Sequence, residues 1–134
     1  MDAMDKQTGI WTYAGSPELV SVAVECGTPE SGGYVLAMQL SNGNMRLAAT
    51  RHPSKYLSAW KHGVRQYGAP EVTRVYVSKP YIRYEPIKRM IAESLKDFKV
   101  EESDQYHIDA ETLECKAGEI FESVKQYAEA KNYP

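Results

Sequence analysis

The apolar run Gly33-Tyr-Val-Leu-Ala-Met-Gln-Leu40 stops at Ser41-Asn-Gly-Asn44, and Met45-Arg-Leu-Ala-Ala-Thr50 resumes it. Two short apolar runs around an Asn-Gly turn predict a β-hairpin. After Arg51-His52, Pro53 suits the first turn of a helix, and Leu57, Trp60, Val64 and Tyr67 follow at helical spacing until Gly68-Ala-Pro70 stops them. Val72, Val75 and Val77 around Tyr76 predict a third strand between Pro70 and Pro80. Glu85-Pro86 opens a second helix with Ile87, Met90, Ile91, Leu95 and Phe98 as its apolar stripe and Lys88, Arg89, Lys96 and Lys99 on the other face. Asp109 is placed to cap a last helix. Leu113, Ala117, Ile120, Phe121, Val124 and Ala128 face inward there, and Glu111, Glu114, Glu119, Glu122 and Glu129 outward.

The first 32 residues carry a less decided pattern. Val20, Val22 and Val24 alternate as in a strand, whereas Ser16-Pro17-Glu18 is a helix-opening signature. The alternation favours a strand. Gly27-Thr-Pro-Glu-Ser-Gly-Gly33 reads as a loop. The expected organisation is an N-terminal extension over 1–32 and a single α+β domain over 33–134, a small mixed sheet of β-β-α-β-α-α order ending in an acidic helix.

Length and composition are ordinary for one globular domain: 134 residues, 43% apolar and 25% charged. Charge changes the picture. From Arg46 to Lys99 there are 12 Lys and Arg against 4 Asp and Glu, while the other 80 residues hold 4 against 14. The net charge of −2 therefore conceals a basic centre between acidic flanks, and such a centre is an electrostatic footprint for nucleic acid. The start Met1-Asp-Ala-Met-Asp-Lys6 is acidic and has no apolar run behind it, against a secretory signal. No apolar stretch approaches the roughly 18 residues of a membrane span, so the expected location is cytoplasmic with no membrane partner.

Cys26 and Cys115 lack a CxxC partner and fall in segments that read as strand and helix, so reduced, buried thiols are expected. His52, His62 and His107 stand at no metal-ligand spacing, and no metal site is expected. There is no P-loop, GxGxxG or GxSxG, and Ser54 has no histidine and acid context for nucleophilic catalysis. Ten tyrosines exceed the two Phe and two Trp. Tyr76, Tyr81 and Tyr84 with Lys79 and Arg83 either extend a basic surface or form the edge of the core.

The element order, with Gly33-Tyr-Val35 opening the first strand and Thr50-Arg-His-Pro53 as the corner into the helix, resembles the GIY-YIG endonuclease superfamily, in particular its small phage T5-type branch. The likeness covers about residues 33–108. It implies a first-strand tyrosine acting as general base, a helix arginine holding phosphate and a later glutamate binding metal. Tyr34 stands one position from the expected tyrosine, and Arg51 is the candidate arginine because Tyr56 occupies the helix position, with Lys55 beside it. The second motif reads Arg46-Leu-Ala48 without its glycine, and Lys88 or Ala92 stands where the glutamate belongs, with Glu85 and Glu93 as neighbours. Phosphodiester cleavage needs a placed metal, whereas backbone binding needs only summed positive charge.

The expected function is therefore binding of DNA or RNA backbone on a nuclease-like scaffold with a degenerate site. Arg46, Arg51, Lys55, Tyr56, Lys61 and Arg65 are the main candidates, joined by Lys88 and Arg89. One alternative is an inhibitor or interaction module of phage or plasmid type. It would meet a host nucleic-acid-handling protein through Glu111, Glu114, Glu119 and Glu122. The other is an active endonuclease using Tyr34 and Arg51, and only that reading calls for Mg²⁺ or Mn²⁺.

Overall fold

The hairpin forms where the sequence places it. In the computed structural model, which describes residues 10–28 and 30–131 with side chains as far as residue 124, Tyr34–Leu40 (β2) pairs with Met45–Thr50 (β3). Its register sets Ala37 opposite Leu47. The Asn42 carboxamide accepts the Asn44 N–H (3.0 Å) inside the turn. Six of the seven β2 residues are buried, because β2 is central and both of its faces are covered. Val72–Val77 (β4) lies on its other side. Two short strands complete the sheet, Tyr13–Gly15 (β1) beside β4 and Gln105–Tyr106 (β5) beside β3, giving the order β1-β4-β2-β3-β5.

Every pairing in this sheet is antiparallel, so the α+β class holds but the sheet is not mixed. The connection from β3 through Pro53–Tyr67 (α2) returns β4 in the direction of β3, as a crossover does. β2 lies between them, so no parallel hydrogen-bonded pair results.

Helices cover both faces. On one, Val35, Ala37, Met45 and Leu47 meet Tyr84–Ser94 (α3) through Ile87 and Ile91, and Ala110–Lys131 (α4) through Leu113, Ala117 and Phe121. On the other, Tyr34, Leu36, Met38 and Ala48 meet Leu57 of α2 and Val20 of Val20–Ala23 (α1). Period-two alternation along β2 thus feeds two separate cores, each large side chain contributing about 1.5–3 kcal/mol on burial. Gly68 ends α2 in the left-handed conformation at φ 73°, and its N–H donates to the Val64 carbonyl.

The valine alternation does not make a strand. Ser16 caps a 3-10 turn over Pro17–Leu19, its hydroxyl accepting the Glu18 N–H (3.2 Å), and α1 follows. Val20 is fully buried, Val24 four residues on is partly buried, and Val22 is 84% exposed. A strand would put all three on one face; a helical turn puts only i and i+4 together. The segment before Gly33 also supplies β1 and the buried Trp11. Trp11 packs edge-on against Phe121 of α4 (6.0 Å) and tilted against Tyr76 of β4 (5.7 Å).

In α3, Met90 is 41% exposed and leaves the expected stripe. Ile87, Ile91 and Leu95, four residues apart, define its inner edge, and Lys88 beside them is partly buried. Phe98 packs on the same core from a 3-10 turn over Lys96–Phe98. Asp109 caps α4 as expected, accepting the Thr112 N–H (2.7 Å). Ala128 and Glu129 lie outside the described side chains, and Met1 to Lys6 outside the described residues. Among the described residues no helix is long and apolar enough to cross a membrane.

Candidate nucleic-acid interface

α2 contains no acidic residue from Pro53 to Tyr67. Pro53 and Leu57 are buried and Tyr56, Trp60 and Val64 partly so, which turns the rest of the helix outward. Lys55 and His62 stand on its crest. Ser54, Ser58, Lys61 and Arg65 form the next ridge and line a groove of about 450 Å³ whose far wall is Glu18 and Ser21. Glu71 stands in the same groove. The Glu18 carboxylate accepts the Ser16 hydroxyl (2.5 Å), and this bond first, with nearby Lys61 as a lesser cause, holds it below the ordinary carboxylate range. The groove is therefore mixed in charge, whereas the crest and the outer ridge formed by Ser54, Ser58, Lys61 and Arg65 carry cations and no acid of the helix itself.

Arg46 is placed differently from the other cations. Its Nε donates to Asp104 Oδ2 (2.9 Å), its Nη1 donates to the Tyr56 hydroxyl, and its guanidinium lies 5.0 Å from the centre of the Trp60 ring. Burial opposes its charge, but the Tyr56 hydrogen bond and Asp104 outweigh that and raise its pKa above the ordinary arginine value. Arg46 and Tyr56 thus tie β3 to α2 rather than project from it. Among the described residues the ion pairs are Arg46 with Asp104 and Lys96 with Glu93 (3.3 Å), so Lys55, Lys61 and Arg65 have no ionic partner there.

Lys88 and Arg89 belong to α3, on the opposite face of the sheet from α2. They do not join the α2 group. The acidic helix α4 packs on the α3 face too, with Glu111, Glu119 and Glu122 exposed and Glu114 partly so. α4 therefore does not lie over the cations of α2. Tyr76 is buried, and Tyr81 and Tyr84 pack against the same core, Tyr81 stacking on Phe121 at 5.3 Å. That cluster is the edge of the core.

Tyr34 is 8% exposed, and its hydroxyl donates to the Glu25 carbonyl (2.7 Å). Burial first, then the charges of Glu25 and Cys26, push its pKa above the ordinary tyrosine value. Arg51 is partly buried at the corner, where its carbonyl accepts the Gly27 N–H (2.6 Å) and its side chain lies beside Gly33.

The cysteines are free, but both are exposed rather than buried. Cys26 follows α1 in an irregular segment, not a strand, and Cys115 is on the outer side of α4. Cys26 Sγ lies 2.6 Å from His52 Nδ1. No spacing rule finds a pair 26 residues apart; only the tertiary contact brings it together. Among the described residues no three His, Cys, Asp or Glu side chains gather as a metal site. Comparison of the chain with family models, curated proteins and solved structures finds no match.

Proposed function

We propose that the protein binds nucleic-acid backbone along the crest and outer ridge of α2, with Lys55, Lys61 and Arg65 on phosphates and Arg51 at the corner extending the track. The observation that carries this reading is a fifteen-residue helix with outward cations, no acid of its own and no described ionic partner. The placement of α4 on the opposite face of the sheet supports it, because it keeps the glutamates of α4 away from the α2 cations. Binding is favoured over cutting. A general base needs an accessible, deprotonated oxygen, and the Tyr34 hydroxyl is buried, engaged as a donor and harder to ionise than a free tyrosine.

The three α2 contacts contribute about −2.7 to the slope of log K against log salt on duplex DNA. Fluorescence anisotropy with a labelled duplex and a labelled single strand, titrated across salt, measures it. The triple variant Lys55→Glu/Lys61→Glu/Arg65→Glu abolishes binding under this reading. Salt-independent binding, or full affinity in the triple variant, refutes it.

A second reading rests on the row of exposed glutamates on α4, which suits a basic surface of a nucleic-acid-handling protein. Glu114→Lys/Glu122→Lys would release such a partner while leaving DNA binding by α2 intact.

A further inference from the structure

Cys26 sits in a chain segment without regular structure, yet both of its neighbours are tied down. The Glu25 carbonyl accepts the Tyr34 hydroxyl (2.7 Å), and the Gly27 N–H donates to the Arg51 carbonyl (2.6 Å). Gly27 also lies so close to the loop that follows that a Cβ there would come within 2.0 Å of the Gly32 carbonyl oxygen. The thiol is thus exposed on a backbone held from both sides.

Its partner is held as well. His52 is the residue from which α2 begins, its carbonyl accepting the Tyr56 N–H (2.9 Å) and its N–H donating to Thr50 Oγ1 (3.0 Å). Nδ1 then meets Cys26 Sγ at 2.6 Å. A basic nitrogen within reach of an exposed thiol is placed to take its proton as the sulfur attacks. The Tyr34 phenol is near enough to couple electrostatically to Cys26 and to the Glu25 carboxylate. Cys115 has none of this machinery among the described residues and lies on the other side of the sheet.

We propose that Cys26 is a site of thiol–disulfide exchange with low-molecular-weight disulfides, with His52 as its proton acceptor. The Cys26 thiol proton passes to His52 Nδ1, and the thiolate attacks one sulfur of a disulfide R–S–S–R. A new S–S bond forms as the old one breaks, and the departing thiolate takes the proton from the imidazolium. The products are Cys26–S–S–R and R–SH. The disulfide is the oxidant, and atoms and electrons balance.

The two cysteines make the test internal. In Cys115→Ser the reaction with dithiodipyridine reports Cys26, and in Cys26→Ser it reports Cys115. At about pH 6 Cys26 reacts about tenfold faster than Cys115, because His52 Nδ1 stands within reach of its thiol to accept the proton and Cys115 has no such base among the described residues. The advantage narrows at higher pH and is lost in Cys115→Ser/His52→Gln. The same Cys115→Ser protein unfolded in guanidinium chloride gives a second reference that needs no substitution at His52. Native Cys26 exceeds that reference at about pH 6. Incubation with oxidised glutathione yields one adduct, mapped by mass spectrometry to Cys26. Equal rates for the two cysteines, a native rate no higher than the unfolded one, or a His52→Gln rate unchanged in a folded variant overturns the proposal.

Discussion

Ser78 is the one buried polar side chain among the described residues, and it closes β4 onto β2. Its hydroxyl accepts the Val35 N–H (3.0 Å) and donates to the Lys79 carbonyl (2.7 Å), while its own N–H donates to the Val35 carbonyl (3.0 Å). Ser78→Ala leaves the Val35 N–H without a partner in a dry site, so urea unfolding shows a loss of about 1–3 kcal/mol with an unchanged m-value. Asp109 acts through charge at an exposed helix start. The Thr112 N–H that it accepts holds its pKa below the ordinary carboxylate value, so its capping is complete above about pH 4 and fades as pH falls through the depressed folded-state pKa. Asp109→Asn keeps a cap but not the titration. Its melting temperature falls less steeply with acid than that of the parent, which thermal scans from about pH 5 to pH 2.5 read. The residue scale also shows where sequence reading stops. Asp109 was legible as a cap from its position alone, but the role of Ser78 depends on a strand 43 residues away.

At the scale of elements, Arg46 and Lys61 separate structure from binding. Arg46 ties β3 to α2 through Tyr56, Trp60 and Asp104, so Arg46→Ala lowers stability by about 1–2 kcal/mol in denaturant unfolding and leaves the salt slope of nucleic-acid binding unchanged. Lys61→Ala does the reverse, removing one phosphate contact and making the slope shallower by about 0.9. Across the groove, Glu18→Gln removes an anion facing Lys61 and tightens binding roughly two- to threefold at low salt, measured by the same anisotropy titration. The helices α2, α3 and α4 and the hairpin were all readable from periodicity and turn chemistry, because each repeats its side-chain direction within a few residues. α1 was misread as a strand because three alternating valines outnumbered one capping serine, and β1 and β5, at three and two residues, are too short to show a period.

On the scale of the whole molecule, the sheet sorts the charges. The basic run from Arg46 to Lys99 is continuous in sequence but not in space: α2 carries its cations on one side of the sheet and α3 carries Lys88 and Arg89 on the other, beside the acidic α4. The sequence by itself determined the main elements, the α+β class and the segregation of charge along the chain, since these follow from local periodicity and from counting. Only the tertiary structure decided which cations share a face, that α4 leaves α2 uncovered, that Arg46 is an internal tie, and that Cys26 meets His52. Each of these depends on the strand order β1-β4-β2-β3-β5, which brings together residues far apart in the chain through pairings that no short window records.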